Sequence, residues 1–220
     1  AEDEDRLSYS LPQFGLCMHF KPSDFTQVNY HINRTLIAKA LSLLGVEAND
    51  RVADLFCGLG NFTLPLATQA REVVGIEGSN TLTARALEAA QAHGLAEKTS
   101  FSTLNLFEVD VAWLRDLGYF DRMLIDPPRD GAFAVAKALA ALKAEERPKR
   151  IVYVSCNPAT LARDADVLVH QGGYRLISAG VVNMFPHTAH VESIAVFEWH
   201  PGDVIPEVVS EAEGEIETRE

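Results

Sequence analysis

Apolar and polar positions along the 220-residue chain change period again and again. Short apolar runs read as strands, and apolar residues three and four apart read as helices. Leu7–Phe20 alternates imperfectly and reads as one or two strands. Pro22 to Asn29 reads as a loop, with Asn29 or Asn33 capping a helix over Thr35–Leu44 that Gly45 and Asn49-Asp50 end. Strands and helices then alternate. Val52–Phe56 is followed by a helix from Phe62 to about Ala70, and Val73–Glu77 by an alanine-rich helix over Leu82–His93. Ser100–Leu104 is a short strand. Arg122–Ile125 precedes a helix over Ala132–Leu142, and Ile151–Val154 precedes one over Leu161–His170. Arg175–Met184 and Ser193–Trp199 are the last two strands, read as a pair. This βα alternation predicts an α/β fold with a doubly wound, mostly parallel sheet.

Composition changes this picture little. Hydrophobic residues make up 47% and charged residues 23%, an ordinary globular balance that fits one α/β domain. No run of apolar residues is long enough for a membrane helix, and the acidic start is not a secretory leader. The three cysteines, Cys17, Cys57 and Cys156, are too few and too widely spaced for a disulfide framework or a zinc site. A reducing, cytoplasmic setting is the expectation.

Charge changes it more. The formal net charge is -12, but four acids lie within residues 1–6 and seven within residues 201–220. The body between them is close to neutral. The global charge therefore does not exclude RNA, yet the basic footprint of a free-standing RNA binder is missing. That shortfall, with a start other than Met, is what a domain cut from a longer protein would show.

Four stretches carry candidate chemistry. In Asp54-Leu-Phe-Cys-Gly-Leu-Gly-Asn-Phe62 the glycines lie between a strand and a helix, where backbone can approach a ligand. Thr63 stands where a dinucleotide fingerprint needs a small residue, which disfavours nicotinamide and flavin. Glu77 ends the next strand and can accept both hydroxyls of a ribose. Asp126-Pro-Pro-Arg129 must end a strand, since consecutive prolines cannot extend a ladder, and it exposes Asp126. Ser155-Cys-Asn-Pro158 sets a thiol at a strand's carboxyl end. A helix start and the cations Arg129 and Arg163 are the groups that could lower its pKa. Against this, a lone strand-end cysteine is often only structural. Phe185-Pro-His-Thr-Ala-His-Val-Glu192 holds His187, His190 and Glu192 without the spacing of a helical metal motif. No metal is expected, and Glu192 reads as a general base.

Together these motifs, with Asp24-Phe-Thr-Gln-Val-Asn29 and Gly75-Ile-Glu77, resemble the RNA uracil-5-methyltransferases that use S-adenosylmethionine. The resemblance runs from about Phe20 to Phe197. Asn61-Phe-Thr-Leu-Pro-Leu-Ala67 and the stretch 151–164 look most like the bacterial branch acting on 23S ribosomal RNA. It implies a Rossmann-like methyltransferase fold with an antiparallel last strand. It also implies a catalytic domain over 21–200, a remnant of a preceding domain over 1–20 and an acidic disordered tail over 201–220.

The resemblance further implies methylation of carbon 5 of a uridine through a covalent cysteine adduct. Cys156 matches the nucleophile and Glu192 the base, with Asp126 at the reacting centre. Gln27, Phe56, Asn61, Glu77, Asn105 and Asp126 match the positions that bind S-adenosyl-L-methionine and its product S-adenosyl-L-homocysteine. The ribosomal branch also carries an iron–sulfur cluster, which this chain lacks the cysteines to hold. The cluster is expected only in a preceding part of a longer parent. The implied partner is 23S ribosomal RNA, with no membrane, and a monomer is expected. Three rivals remain open: a transfer RNA uracil-5-methyltransferase, an exocyclic-amine methyltransferase using Asp126-Pro-Pro, and a non-catalytic cofactor-binding or RNA-interaction domain.

Overall fold

The computed structural model describes residues 7–21, 30–182, 192–200 and 202. The chain opens with an antiparallel hairpin, β1 (Leu7–Leu11) and β2 (Leu16–Phe20), turned at Gly15 in the left-handed region. Helix α1 (Tyr30–Leu44) follows, five residues longer at its start than the apolar pattern indicates. Then come β3 (Arg51–Leu55), α2 (Thr63–Ala67), β4 (Glu72–Glu77), α3 (Asn80–Ala92) and β5 (Thr99–Thr103). The second half holds α4 (Val111–Leu117), β6 (Arg122–Ile125), α5 (Phe133–Ala140), β7 (Arg150–Ser155), α6 (Pro158–Asp166), β8 (Arg175–Val182) and β9 (Glu192–Glu198).

Three further elements depart from the sequence expectation. Helix α4 has no counterpart in the apolar pattern. It is two turns long, and only Leu114 on it is fully buried, so its period is not legible; the Asp110 side chain starts it by accepting from Trp113 N–H. Helix α2 is shorter than expected, stopping at Ala67. The last helical pattern, Leu161–His170, divides into α6 and a wider π-type turn over Val167–Gln171.

The main sheet has seven strands in the order β5-β4-β3-β6-β7-β9-β8. The five from β5 to β7 are parallel, and β9 runs antiparallel to both neighbours. From β3 the chain winds outward through β4 and β5, then crosses to β6 and winds the other way. The crevice beside β3 and β6 is therefore the switch point, where open α/β sheets bind ligands at the carboxyl ends of strands.

Both faces of the sheet are buried, which is why its central strands are apolar throughout. Val52, Val73, Leu124, Val152, Val154 and Val196 face a core shared with the hairpin, α1 and α2. Ala53, Val74, Met123, Ile151, Tyr153 and Phe197 face a second core, with α4, α5 and α6. The alternation within each strand is the two-residue pleat. No helix among the described residues is long and apolar enough to cross a membrane.

Candidate active site

The carboxyl edge of the parallel strands gathers the residues singled out in the sequence. After β3 the chain enters the loop Phe56–Asn61. Phe56 is a non-glycine residue at φ +64°, a strained conformation that turns the backbone out of the sheet. Gly58 (φ +54°) and Gly60 (φ +86°) continue the turn, and a Cβ at Gly58 would meet nothing within 4 Å. The backbone at Gly58 thus faces open space on the crevice side.

Glu77 closes β4 beside this loop. Its Oε2 accepts from Gly58 N–H (3.1 Å) and its Oε1 from Ser79 N–H (3.0 Å). Each oxygen is oriented by one backbone donor and keeps a lone pair for a ligand hydroxyl. The ring of Phe56 lies 5.7 Å from that of Phe107, which is half exposed. Asn105, on the same rim, turns its side chain back to accept from Phe107 N–H.

Beneath the loop lies a buried carboxyl. Asp54 is fully enclosed; its Oδ2 accepts from Thr63 Oγ1 at 2.5 Å, while Oδ1 has no partner. Burial pushes its pKa up to about 7, against the pull of Thr63 and with a further push from the Glu77 charge. The Cys57 thiol is sealed against the sheet, where Gly75 makes room for it, and burial pushes it far up. Cys57 is a packing residue of this loop.

Asn61 is held from two sides. It exchanges hydrogen bonds with Asn33 of α1 (3.0 and 3.1 Å) and accepts from Tyr9 of the hairpin (2.6 Å). The hairpin and α1 are thereby fastened to the ligand loop. Asn33 lies inside α1 and does not cap it.

The second half of the edge holds Asp126, Cys156 and Glu192. Asp126 follows β6, with its backbone N–H on Leu55 O of β3. It is partly buried, less exposed than the Pro-Pro turn suggested. Burial, then the charges of Glu192 and Asp54, push its pKa well above the carboxylate range. Cys156 follows β7, and β7 pairs with β9 so that Ser155 faces Ser193. One step further out, the antiparallel register brings Glu192 alongside Cys156. A parallel strand could not do this, because its start would lie at the opposite edge. Glu192 is 8% exposed, and burial raises its pKa.

The thiol corrects the sequence reading. Cys156 is partly exposed, and its pKa is raised, first by burial and then by the Glu192 charge, with Asp126 adding to it. Arg129 acts in the expected direction and favours the thiolate. Arg163 does not serve the thiol: its guanidinium is spent on Asp164 and on Asp130 O. Gln27, His187 and His190 lie outside the described residues.

Tested against possible cofactors, the edge suits a nucleoside better than a metal. The carboxylate pair of oxygens at Glu77, the open glycine turn and the Phe56–Phe107 surface offer hydroxyl, backbone and ring contacts together. Among the described residues no group of three or more His, Cys, Asp or Glu could hold a metal ion. Cys17, Cys57 and Cys156 lie in separate elements, so an iron–sulfur cluster has no ligand set here.

Residues 3–199 match the family described as tRNA (uracil-5-)-methyltransferase. The chain is 72% identical over 197 residues to the 23S rRNA (uracil(1939)-C(5))-methyltransferase RlmD of Bordetella bronchiseptica, covering 90% of this chain and 42% of that protein. It is 67% identical over 195 residues to the protein of the same name from Cupriavidus pinatubonensis, covering 87% of this chain and 42% of that one. It thus spans less than half the length of these relatives. Among solved structures it is similar to the Pyrococcus abyssi tRNA (uracil-54, C5)-methyltransferase in complex with S-adenosyl-L-homocysteine. The TM-score is 0.73 at 29% identity, over 88% of this chain and 44% of that one.

Proposed function

The chain belongs to the tRNA (uracil-5-)-methyltransferase family, and from that premise we propose that it methylates carbon 5 of a uridine in 23S ribosomal RNA. The observation that carries this reading is the β7–β9 ladder, whose register brings a thiol and a buried carboxyl together on the carboxyl edge of the sheet that also carries the glycine loop and Glu77. Identity to the ribosomal enzymes is far higher than to the transfer RNA enzyme, which favours 23S RNA as the substrate.

S-adenosylmethionine, when bound, supplies a methyl group on a sulfonium. Glu77 would take its ribose hydroxyls, and the Phe56–Phe107 surface and the Gly58 turn would take the rest, with Asn61 and Asn105 on the rim. Gln27 is assigned with them from the family motif.

The chain's own residues perform the remaining steps. Carbon 5 of uracil is a weak nucleophile. Addition of the Cys156 sulfur to carbon 6, with loss of the thiol proton to water, breaks the 5,6 double bond and makes carbon 5 an enolate carbon. This is covalent catalysis, dividing one hard step into easier ones. Arg129 favours the thiolate required. Asp126, whose pKa burial raises well above the carboxylate range, can in its protonated form donate to the uracil oxygen where enolate charge gathers. Once carbon 5 carries the methyl group, Glu192 takes the carbon 5 proton; its raised pKa makes it the stronger base. The bond from carbon 6 to sulfur then breaks, the double bond returns and Cys156 leaves as thiolate. The uridine must leave its stack to reach this edge.

The test uses labelled S-adenosylmethionine with unmodified 23S and transfer RNA. Label at carbon 5 of a 23S uridine, lost in Cys156→Ser, is the expected result. Glu192→Gln should accumulate a methylated protein–RNA adduct that survives denaturation. Normal turnover in Cys156→Ser would overturn the covalent route, and label on transfer RNA alone would move the substrate.

A further inference from the structure

The segment Asp126–Ala132 carries both Asp126 and Arg129, yet β6 ends at Ile125 and the next helix starts only at Phe133. What fixes this segment is a set of hydrogen bonds from the element that follows Cys156. At its centre is Asp164 of α6, whose side chain is 0% exposed. Asp164 Oδ2 accepts from Ala132 N–H (2.7 Å) and from Tyr153 O–H (2.6 Å), and Oδ1 accepts from Arg163 Nε (2.8 Å). Tyr153 lies on β7, three residues before the nucleophile, and its hydroxyl also accepts from Ala132 N–H (2.9 Å). Burial and the Asp164 charge raise the phenol's pKa, so it remains a donor.

The other end of the segment is gripped too. Arg129 O accepts from Asn157 Nδ2 (3.0 Å) and Thr160 Oγ1 (3.2 Å), and Asp130 O from Arg163 Nη2 (2.8 Å). Between these points lies Gly131 at φ +77°. A Cβ there would stand 2.7 Å from Asp164 Oδ2, 2.7 Å from Arg163 Nη2 and 2.9 Å from Thr160 Cβ. The segment is pressed onto α6 as closely as a backbone allows.

An ion of this kind, enclosed and fully hydrogen-bonded, is costly to bury and gives little net stability. Its effect is positional: it joins three pieces of backbone that end at the reacting groups. We propose that Asp164 is a positioning residue, a buried carboxylate that locks the Asp126–Ala132 segment to the nucleophile turn and so fixes Arg129 and Asp126 relative to Cys156. This role rests on the reading of Cys156 as nucleophile. It acts on the distance between a cation and a thiol, so the thiol itself can report it.

The experiment compares wild type, Asp164→Asn and Thr160→Val. The rate of Cys156 alkylation by iodoacetamide is followed against pH and mapped by mass spectrometry. Asparagine keeps the shape but turns an amide donor toward donors. Valine removes one of the two side-chain donors to Arg129 O and leaves the buried carboxylate alone. Both variants should raise the pH of half-maximal Cys156 alkylation and leave the high-pH plateau unchanged, while Cys57 stays unreactive as a sign that the fold is intact. In methylation assays kcat should fall, by up to about 100-fold for a displacement near 1 Å, with KM for S-adenosylmethionine unchanged. An unchanged alkylation midpoint in folded variants would overturn the proposal, even if they melt earlier. Should Asp164→Asn fail to fold, Thr160→Val decides it. Alkylation needs no RNA, so a shifted midpoint with no 5-methyluridine from wild type would sink the proposed reaction and leave the lock standing as geometry.

Discussion

Asp54 should make the protein less stable as pH rises through neutrality. The carboxyl is fully enclosed, one oxygen has no partner, and its pKa stands at about 7 against an ordinary 3.8. Each tenfold change in proton affinity is worth about 1.36 kcal/mol, so the whole shift corresponds to about 4 kcal/mol. The sign follows from which state holds the proton. The folded state binds it more tightly, so this group's contribution is fully present below pH 4. It falls as pH rises through about 7 and levels off above that. Between pH 5 and pH 8 a single site with these two values loses roughly 2.5 kcal/mol. Asp54→Asn removes the titration. The amide has its own cost, since its NH₂ inherits the unpartnered position, but that cost does not change with pH. Urea unfolding at pH 5 and pH 8, extrapolated linearly to water, should show the variant gaining roughly 2.5 kcal/mol on wild type between the two pH values. Neighbouring titrations largely cancel in this difference. If wild type and variant lose stability in parallel over that range, Asp54 is ionised in both states and the reasoning fails.

Arg129→Ala should slow Cys156 alkylation near neutral pH and shift its midpoint upward, since Arg129 favours the thiolate against Glu192 and Asp126; an unchanged midpoint would remove Arg129 from the thiol's environment. Gly131→Ala should lower stability by about 1–3 kcal/mol or more in thermal melts, because φ is +77° and the added Cβ meets buried polar atoms. Tyr9→Phe should cost about 1 kcal/mol by removing the bond to Asn61 Oδ1. It should also weaken S-adenosylhomocysteine binding, measured by calorimetry, because the ligand loop loses one of its two anchors.

The parallel core was legible because both faces of each strand are buried, giving short apolar runs at regular spacing. Glu77 and Cys156 were legible for the same reason: a polar residue that ends such a run must sit at the edge. Helix α4 left no periodic signal, having one buried position in two turns. The thiol's environment was not readable either. Arg163 stands in α6 within reach of Cys156 by sequence, but its neighbour Asp164 is buried and takes the guanidinium. The signal for that was faint: Asp164 is three residues after Leu161, hence on the same buried face of α6. The fastening of Asn61 by Asn33 and Tyr9 depends on residues 28 and 52 positions away, and no local pattern carries such a contact.

The antiparallel course of β9 has a consequence for how this architecture can vary. Glu192 reaches Cys156 through a ladder whose register is set by apolar residues on both faces, from Ser193 to Glu198. A slip of one residue would turn the carboxyl to the opposite face, so the ladder fixes the pairing of Glu192 with Cys156. Substitutions that keep the apolar faces of this ladder therefore keep the Cys156 and Glu192 side chains on the same edge, whatever else changes around them.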